Sequence, residues 1–226
     1  MDPKPVLAVI PAFNEAASIT NMVSAVLTHL PVLVVDDGSR DQTAALAEAA
    51  GGRVLRQVPN QGKGSALRAG FRQALDEGFD AVLTLDADGQ HDPAEIPLFI
   101  QAYRDQMAHL VIGRRRFTEM PFSRRLANTL GTALFSWAMR QPVYDNQSGY
   151  RLVSRRVMES CLASREEGFE FEVEMIVTCA RENLRLAWVP IRTIYAGEKS
   201  HIQPLQHTLN FIRLVMKTRR AAARPH

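Results

Sequence analysis

Short apolar runs at residues 6–10, 32–35, 53–58 and 81–85 alternate with segments of helical period near 16–29, 42–50, 64–77 and 93–106. Strand–helix repetition of this kind builds a mostly parallel sheet covered by helices on both faces, and few other arrangements bury such runs. The run at 110–113 predicts a further strand. Leu126, Leu130, Leu134 and Trp137 recur at helical spacing in a helix expected from 123 to about 139, a stripe suited to the core or to a membrane-facing surface. A helix over 169–182 carrying Glu172 and Glu174, and strands at 186–191 and 193–195, complete the pattern. At 226 residues, with no glycine- or proline-rich linker, the chain reads as one domain to residue 203 followed by a basic amphipathic segment, 204–226.

Open α/β sheets bind ligands beyond the carboxyl ends of their strands, so the loops there carry the chemistry. The run at 81–85 passes into Asp86-Ala87-Asp88-Gly89-Gln90-His91. Two carboxylates one residue apart, with an amide two further on, offer oxygen ligands to a hard divalent cation, which in turn can bridge nucleotide phosphates. A solvated Asp-Ala-Asp-Gly turn is the plain alternative. The run at 32–35 stops at Asp36-Asp37-Gly38-Ser39, followed by Asp41, Gln42 and Thr43, and the first run ends in Pro11-Ala12-Phe13-Asn14-Glu15. Asn60-Gln61-Gly62-Lys63-Gly64 precedes a helical segment, and lysine between glycines at a helix start suits contact with an anion. The four-residue spacing of a P-loop is missing, which disfavours a P-loop ATPase.

The formal net charge of +3 hides clusters: Arg114, Arg115, Arg116, Arg124 and Arg125, and then Lys217, Arg219, Arg220 and Arg224. Nucleic acid is a poor partner, because the first strand-end loops are acidic and no DNA- or RNA-reading motif is present. Anionic lipid headgroups or phosphorylated substrates fit the distribution better, with a solvated face as the alternative for the last cluster. Residues 205–220 place Leu209, Ile212, Val215 and Met216 opposite Arg213, Lys217 and Arg220, a helix that packs on its own domain or lies at a membrane interface. No stretch supplies the roughly 20 apolar residues of a spanning helix, and the N-terminus lacks the form of a secretory signal. A cytoplasmic protein is expected, peripheral on the inner face of the membrane if its substrate is a lipid. Cys161 and Cys179, in apolar helical segments, read as reduced core thiols.

In order along the chain, Val9-Ile10-Pro11-Ala12-Phe13-Asn14-Glu15, Val34-Val35-Asp36-Asp37-Gly38-Ser39, the Asn-x-Gly-Lys-Gly loop at 60–64 and Asp86-Ala87-Asp88-Gly89-Gln90 resemble elements of family 2 glycosyltransferases. So do Gly113-Arg114-Arg115, residues 125–128, Asp145-Asn146-Gln147-Ser148-Gly149-Tyr150-Arg151 and Glu170-Phe171-Glu172. The resemblance is nearest to the polyprenyl-phosphate (dolichol-phosphate) mannosyl- or glucosyl-synthases. It implies a Rossmann-like nucleotide-sugar fold of the A type. It also implies metal-dependent, inverting transfer from a GDP- or UDP-linked sugar to a polyprenyl phosphate or other lipid.

By position, the resemblance sets Pro11, Phe13, Glu15 and Asp36 around the nucleotide, with Asp36 favoured over Asp37 at the base and Asp37 ordering the loop instead. Lys63, Ala87 and Lys199 join the donor side, and Asp86, Asp88 and Gln90 match the positions that hold Mg2+ or Mn2+. An anionic acceptor oxygen needs no strong base; it needs to be held. Arg115 and Arg125 match phosphate-contacting positions, for which the guanidinium fork is suited, with Arg114, Arg116 and Arg124 as substitutes. Asp145 is either the acidic group near the acceptor or an anchor for its loop. Asp88, Arg115, Arg125 and Asp145 are thus expected to carry the transfer. Related enzymes have Glu-Ser-Lys or Lys-Ser-Lys late in the chain where this one has Glu198-Lys199-Ser200-His201, which leaves Lys199 or His201 for the diphosphate. His91 stands behind the metal motif or on the surface. Transmembrane segments often follow in the family; here a lipid would be reached by surface contact or through a membrane partner protein. The alternatives are a nucleotidyltransferase, disfavoured because the loop after the first strand lacks a glycine-rich basic pattern, and a non-catalytic nucleotide-sugar-binding subunit.

Overall fold

The computed structural model describes residues 5–115, 122–139, 142–162 and 170–192. Strands β1 (Val6–Ala12), β2 (Val32–Asp36), β3 (Arg53–Arg56), β4 (Ala81–Thr84), β5 (Leu110–Arg115), β6 (Arg151–Ser154) and β7 (Leu186–Ile191) form one sheet in the order β3-β2-β1-β4-β6-β5-β7. β6 runs antiparallel to β4 and β5, and the other neighbours pair in parallel. The helices are α1 (Ile19–Leu27), α2 (Thr43–Ala49), α3 (Lys63–Asp76), α4 (Ile96–Asp105), α5 (Phe122–Met139), α6 (Arg155–Leu162) and α7 (Glu170–Arg181).

Side chains alternate across a strand, so β1 feeds two cores. Leu7 and Val9 join Leu33, Leu67, Phe71, Phe171 and Ile176 on one face of the sheet. Ala8 and Ile10 join Val34, Ile19, Val23, Ile96 and Phe99 on the other. Every residue of β1, β2 and β4 is buried, which is why their sequences are unbroken apolar runs. α3 lies close over β1 because Gly70 faces it: a Cβ there would come within 2.5 Å of Val9 Cγ1. That approach carries the start of α3, with Lys63, to the C-terminal ends of β1 and β4. β1 pairs with β2 on one side and β4 on the other, and the crossover direction changes between them, opening a crevice at their carboxyl ends.

Among the described residues the expected elements are present, with two differences. α1 begins at Ile19 rather than near 16, after a turn in which Asn14 takes φ +57°. β6 was not foreseen: four residues opening on an arginine carry no strand period, and only pairing between β4 and β5 defines them. Cys161 and Cys179 are free and buried, and burial pushes the Cys161 thiol up to about 12. Among the described residues no helix is long and apolar enough to cross a membrane. The strand expected at 193–195, Lys199, His201 and the segment 204–226 lie outside the described residues.

Candidate active site

A cleft of about 370 Å3 opens at the carboxyl ends of the central strands, lined by residues from four successive strand-end loops. Pro11, Ala12, Phe13 and Glu15 come from β1, Asp37 from β2, Asn60, Gly62, Lys63 and Ala66 from the entry to α3, and Asp86, Ala87 and Asp88 from β4. Its size suits a small ligand. Phe13 remains 44% exposed, an aromatic face available to a flat ring.

The first two loops brace one another. Ser39 Oγ accepts a bond from the Asn14 amide at 2.9 Å, and Asn14 Oδ1 accepts from the Arg40 amide at 2.8 Å. Thr43 Oγ1 accepts from the Glu15 amide at 2.7 Å, while Asp41 takes the amides of Ala16 and Thr43. Asp36, almost fully buried, accepts the Ser39 amide at 3.1 Å and so closes its own turn. Asp37 accepts the amides of Gln61 at 2.9 Å and Gly62 at 2.7 Å, fixing the loop that leads into α3. Of the two neighbours, it is Asp37 that lines the cleft.

At the β4 end, Asp86 is half-buried in the cleft wall. Its Oδ1 lies 2.5 Å from Lys63 Nζ, and its carboxylate rests on Gly149, where a Cβ would stand 2.6 Å from Oδ2. The Asp86 amide donates to His91 Nδ1 at 3.1 Å. Lys63 Nζ also lies 3.0 Å from Glu172 Oε1. Burial pulls the Lys63 pKa down, but the Asp86 and Glu172 carboxylates outweigh it and leave it raised. Burial would raise the Asp86 pKa; Lys63 foremost, with His91 and Arg115, holds it low. Asp88 stands in the cleft wall with Oδ1 accepting the Gln90 amide at 2.9 Å.

His91 is buried, which overturns its reading as a surface histidine. Its ring lies 5.0 Å from that of Tyr150, which stacks on Phe99 at 4.2 Å and donates its hydroxyl to the Asp92 carbonyl at 3.2 Å. Burial pushes the imidazole down to about 4, so at neutral pH it is uncharged; with Nδ1 accepting from Asp86, the proton resides on Nε2.

Beyond β5, Arg115 forms a fork with Asp145, Nε to Oδ2 at 2.7 Å and Nη2 to Oδ1 at 3.0 Å. Asp145 also accepts the amides of Gln147 and Ser148, each at 3.1 Å, and is 1% exposed. Its oxygens thus anchor the loop and orient Arg115. Arg151, fully buried in β6, donates Nε to the Ser148 carbonyl at 2.7 Å, Nη2 to the Asn146 carbonyl at 3.1 Å and Nη1 to the Glu172 carbonyl, tying this loop to α7. Arg114 lies over the Tyr144 ring, 4.4 Å from its centroid. Arg125 falls within α5; its side chain, and Arg116, lie outside the described residues.

Sequence reasoning missed the roles of Glu172, Arg151 and Gly149, although their motifs were singled out. The available signal was an arginine flanking the apolar pair Leu152-Val153, since an arginine in such a setting is buried only when its donors are satisfied. Among the described residues no three His, Cys, Asp or Glu side chains gather into a metal cage. Asp88 with its neighbours is an oxygen donor set, and Mg2+ is commonly held by one or two carboxylates with substrate phosphates completing its shell. The residues therefore fit such an ion when an anionic ligand shares it.

A family model described as glycosyl transferase family 2 matches residues 7–166. The undecaprenyl-phosphate mannosyltransferase of Micrococcus luteus is 32% identical over 201 residues, covering 82% of each chain. The UDP-N-acetylglucosamine–dolichyl-phosphate N-acetylglucosaminyltransferase of Methanococcus voltae is 28% identical over 221 residues, 86% of this chain and 88% of that one. Among solved structures, glucosyl-3-phosphoglycerate synthase from Mycobacterium tuberculosis, in complex with Mn2+, UDP and glucosyl-3-phosphoglycerate, superposes with a TM-score of 0.70 at 23% identity, over 99% of this chain and 81% of that one.

Proposed function

Since this chain belongs to glycosyltransferase family 2, and is on that ground a sugar-transferring enzyme of the A-type fold, we propose that it moves a sugar from a nucleoside diphosphate donor to a polyprenyl phosphate. Membership of this family sets aside the nucleotidyltransferase and the non-catalytic subunit. The observation that carries the proposal is the meeting, in one cleft, of Phe13, Asp37, Lys63 and Asp88 from four strand-end loops. The relatives' names add the acceptor class, since the transferases of M. luteus and M. voltae are named for undecaprenyl and dolichyl phosphate.

In this reading Phe13, Pro11 and Glu15 hold the nucleoside, and Asp37 keeps the loop before α3 in place beneath the diphosphate. Asp36 acts through the turn it closes. Asp88, with Asp86 and Gln90 beside it, would hold Mg2+ or Mn2+, which supplies Lewis-acid neutralisation of the leaving diphosphate. Arg115, oriented by Asp145, holds the acceptor phosphate, a role assigned also to Arg125, and Lys199 is assigned to the diphosphate. Commitment of Asp145 to Arg115 and to two amides suits an acceptor that arrives already ionised. Direct attack on the anomeric carbon by that oxygen inverts its configuration. A lipid acceptor places the enzyme against the membrane surface, with the basic 204–226 segment as the contact.

The test is product formation from GDP- and UDP-sugars with a short-chain polyprenyl phosphate, with Mn2+ and after chelation. A metal-dependent polyprenyl phosphate sugar is expected. Transfer only to soluble phosphorylated acceptors would overturn the lipid assignment.

A further inference from the structure

The position of Lys63 is unusual for a lysine on the wall of an anion cleft. A helix start flanked by glycines is a favourable place for a phosphate-binding cation. Yet the ammonium lies between two carboxylates, 2.5 Å from Asp86 Oδ1 and 3.0 Å from Glu172 Oε1. Two carboxylates hold the one ammonium, and the buried Arg151 guanidinium beside Glu172 brings the group to neutrality, so the lysine contributes little positive potential to the cleft. Asp86 belongs to the cleft wall. Glu172 does not: it comes from the first turn of α7, and its side chain is 6% exposed. Arg151 fixes that turn by donating to the Glu172 carbonyl while also holding the Asn146 and Ser148 carbonyls.

We propose that Glu172 is a positioning residue that sets the metal dependence of the donor site, by holding Lys63 away from the diphosphate so that neutralisation falls to a divalent cation at Asp88. The proposal rests on the reading of the cleft as a nucleoside diphosphate site. With a neutral side chain at 172, Lys63 faces one carboxylate in place of two, and the ammonium loses one of its two holders. Metal-free binding of the anion then improves. Metal binding weakens, because Lys63, freed from Glu172, sets its positive charge against the cation beside Asp86. Both changes narrow the ratio between the two affinities.

The test is calorimetric titration of UDP and GDP into the full chain, with Mn2+ and with a chelator, for wild type and Glu172→Gln. The tighter nucleotide should bind the wild type at least about tenfold better with metal; the variant should gain about tenfold in metal-free affinity, the change that ~1.4 kcal/mol of released interaction gives. A purely structural role predicts parallel weakening in both conditions, and that result, or no change, overturns the proposal. In a Lys63→Met background the gain from Glu172→Gln should vanish; its persistence would show that the effect does not run through the lysine, which also defeats the proposal. If circular dichroism shows the glutamine variant unfolded, Glu172→Asp, which retracts the carboxylate by one methylene, should narrow the ratio in the same direction, and an unaltered ratio there counts against the proposal. Wild type that binds neither nucleotide would overturn the donor-site reading itself, a failure visible before any variant is made.

Discussion

Gly149→Ala separates the geometry of the Asp86–Asp88 loop from the stability of the fold. Gly149 does not adopt a positive φ, so alanine brings no backbone strain; its effect is steric. The added Cβ would stand 2.6 Å from Asp86 Oδ2, 2.8 Å from Oδ1 and 3.0 Å from Cγ, where ordinary contact begins at 3.4 Å. The carboxylate must therefore retreat by about 0.8 Å, and misplacement of a site group by about 1 Å can cost ~100-fold in rate. Its contact with Lys63 at 2.5 Å is broken or rebuilt by that movement. The side chain is 28% exposed and has room to yield, so the cost to stability should stay at the lower end of the ~1–3 kcal/mol typical of overpacking, or a few degrees in Tm for a chain of this size. Steady-state kinetics at saturating Mn2+ beside a thermal melt would read both. A variant that melts several degrees lower yet turns over within about twofold of wild type would refute the reasoning and reduce the contact of Gly149 and Asp86 to packing.

Asp88→Asn should lose about 100-fold or more in transfer, equivalent to the ~2–3 kcal/mol expected when a metal-held charge is lost, while its melt without metal stays near wild type; metal-dependent transfer at full rate would exclude Asp88 as a ligand. Arg115→Lys keeps the charge but gives up the fork to Asp145, so the acceptor KM should rise about tenfold with donor affinity unchanged, and an equal loss of donor binding would move Arg115 to the diphosphate. Away from the site, Arg53 foremost and Gln73 hydrogen-bond Glu77 and hold its carboxyl down to about 2. Because the folded pKa lies below the unfolded one, this contribution is complete above the ordinary glutamate range and fades as pH falls from ~4.5 toward ~2. Arg53 is half exposed, so the whole effect should not exceed about 1 kcal/mol; Arg53→Gln should flatten the acid limb of the stability curve in that window, and identical limbs would deny the pair any role.

The parts of this molecule that could be read from its sequence are those where one segment alone meets the physical requirement. β1, β2 and β4 are buried on both faces and must be apolar throughout, and their ends must turn polar where the chain leaves the sheet, so three of the four loops of the cleft stood out as motifs, and the fourth did through its Gly-Lys-Gly at a helix start. The pairing of Asp37 with the amides of Gln61 and Gly62 was within reach too, as one of two roles open to neighbouring acids. What escaped depends on segments that meet only in three dimensions. β6 exists because β4 and β5 leave it a place between them. His91 is buried beside Tyr150, which comes from β6's approach and is itself stacked on Phe99 of α4. The partners of Lys63 arrive from the far end of β4 and from α7, and no local pattern around a Gly-Lys-Gly loop announces that its cation is already taken. A motif thus identifies which charges a site contains, whereas the remote groups that pair with them decide which remain for the ligand. In this chain Asp145 contacts Arg115 as Glu172 contacts Lys63: in each case a buried carboxylate pairs with a cation nearer the surface. Under the proposed function, substitutions of the two acids should consequently be read as changes to the availability of the two cations, Arg115 toward the acceptor and Lys63 toward the donor, before either acid is assigned a proton to transfer.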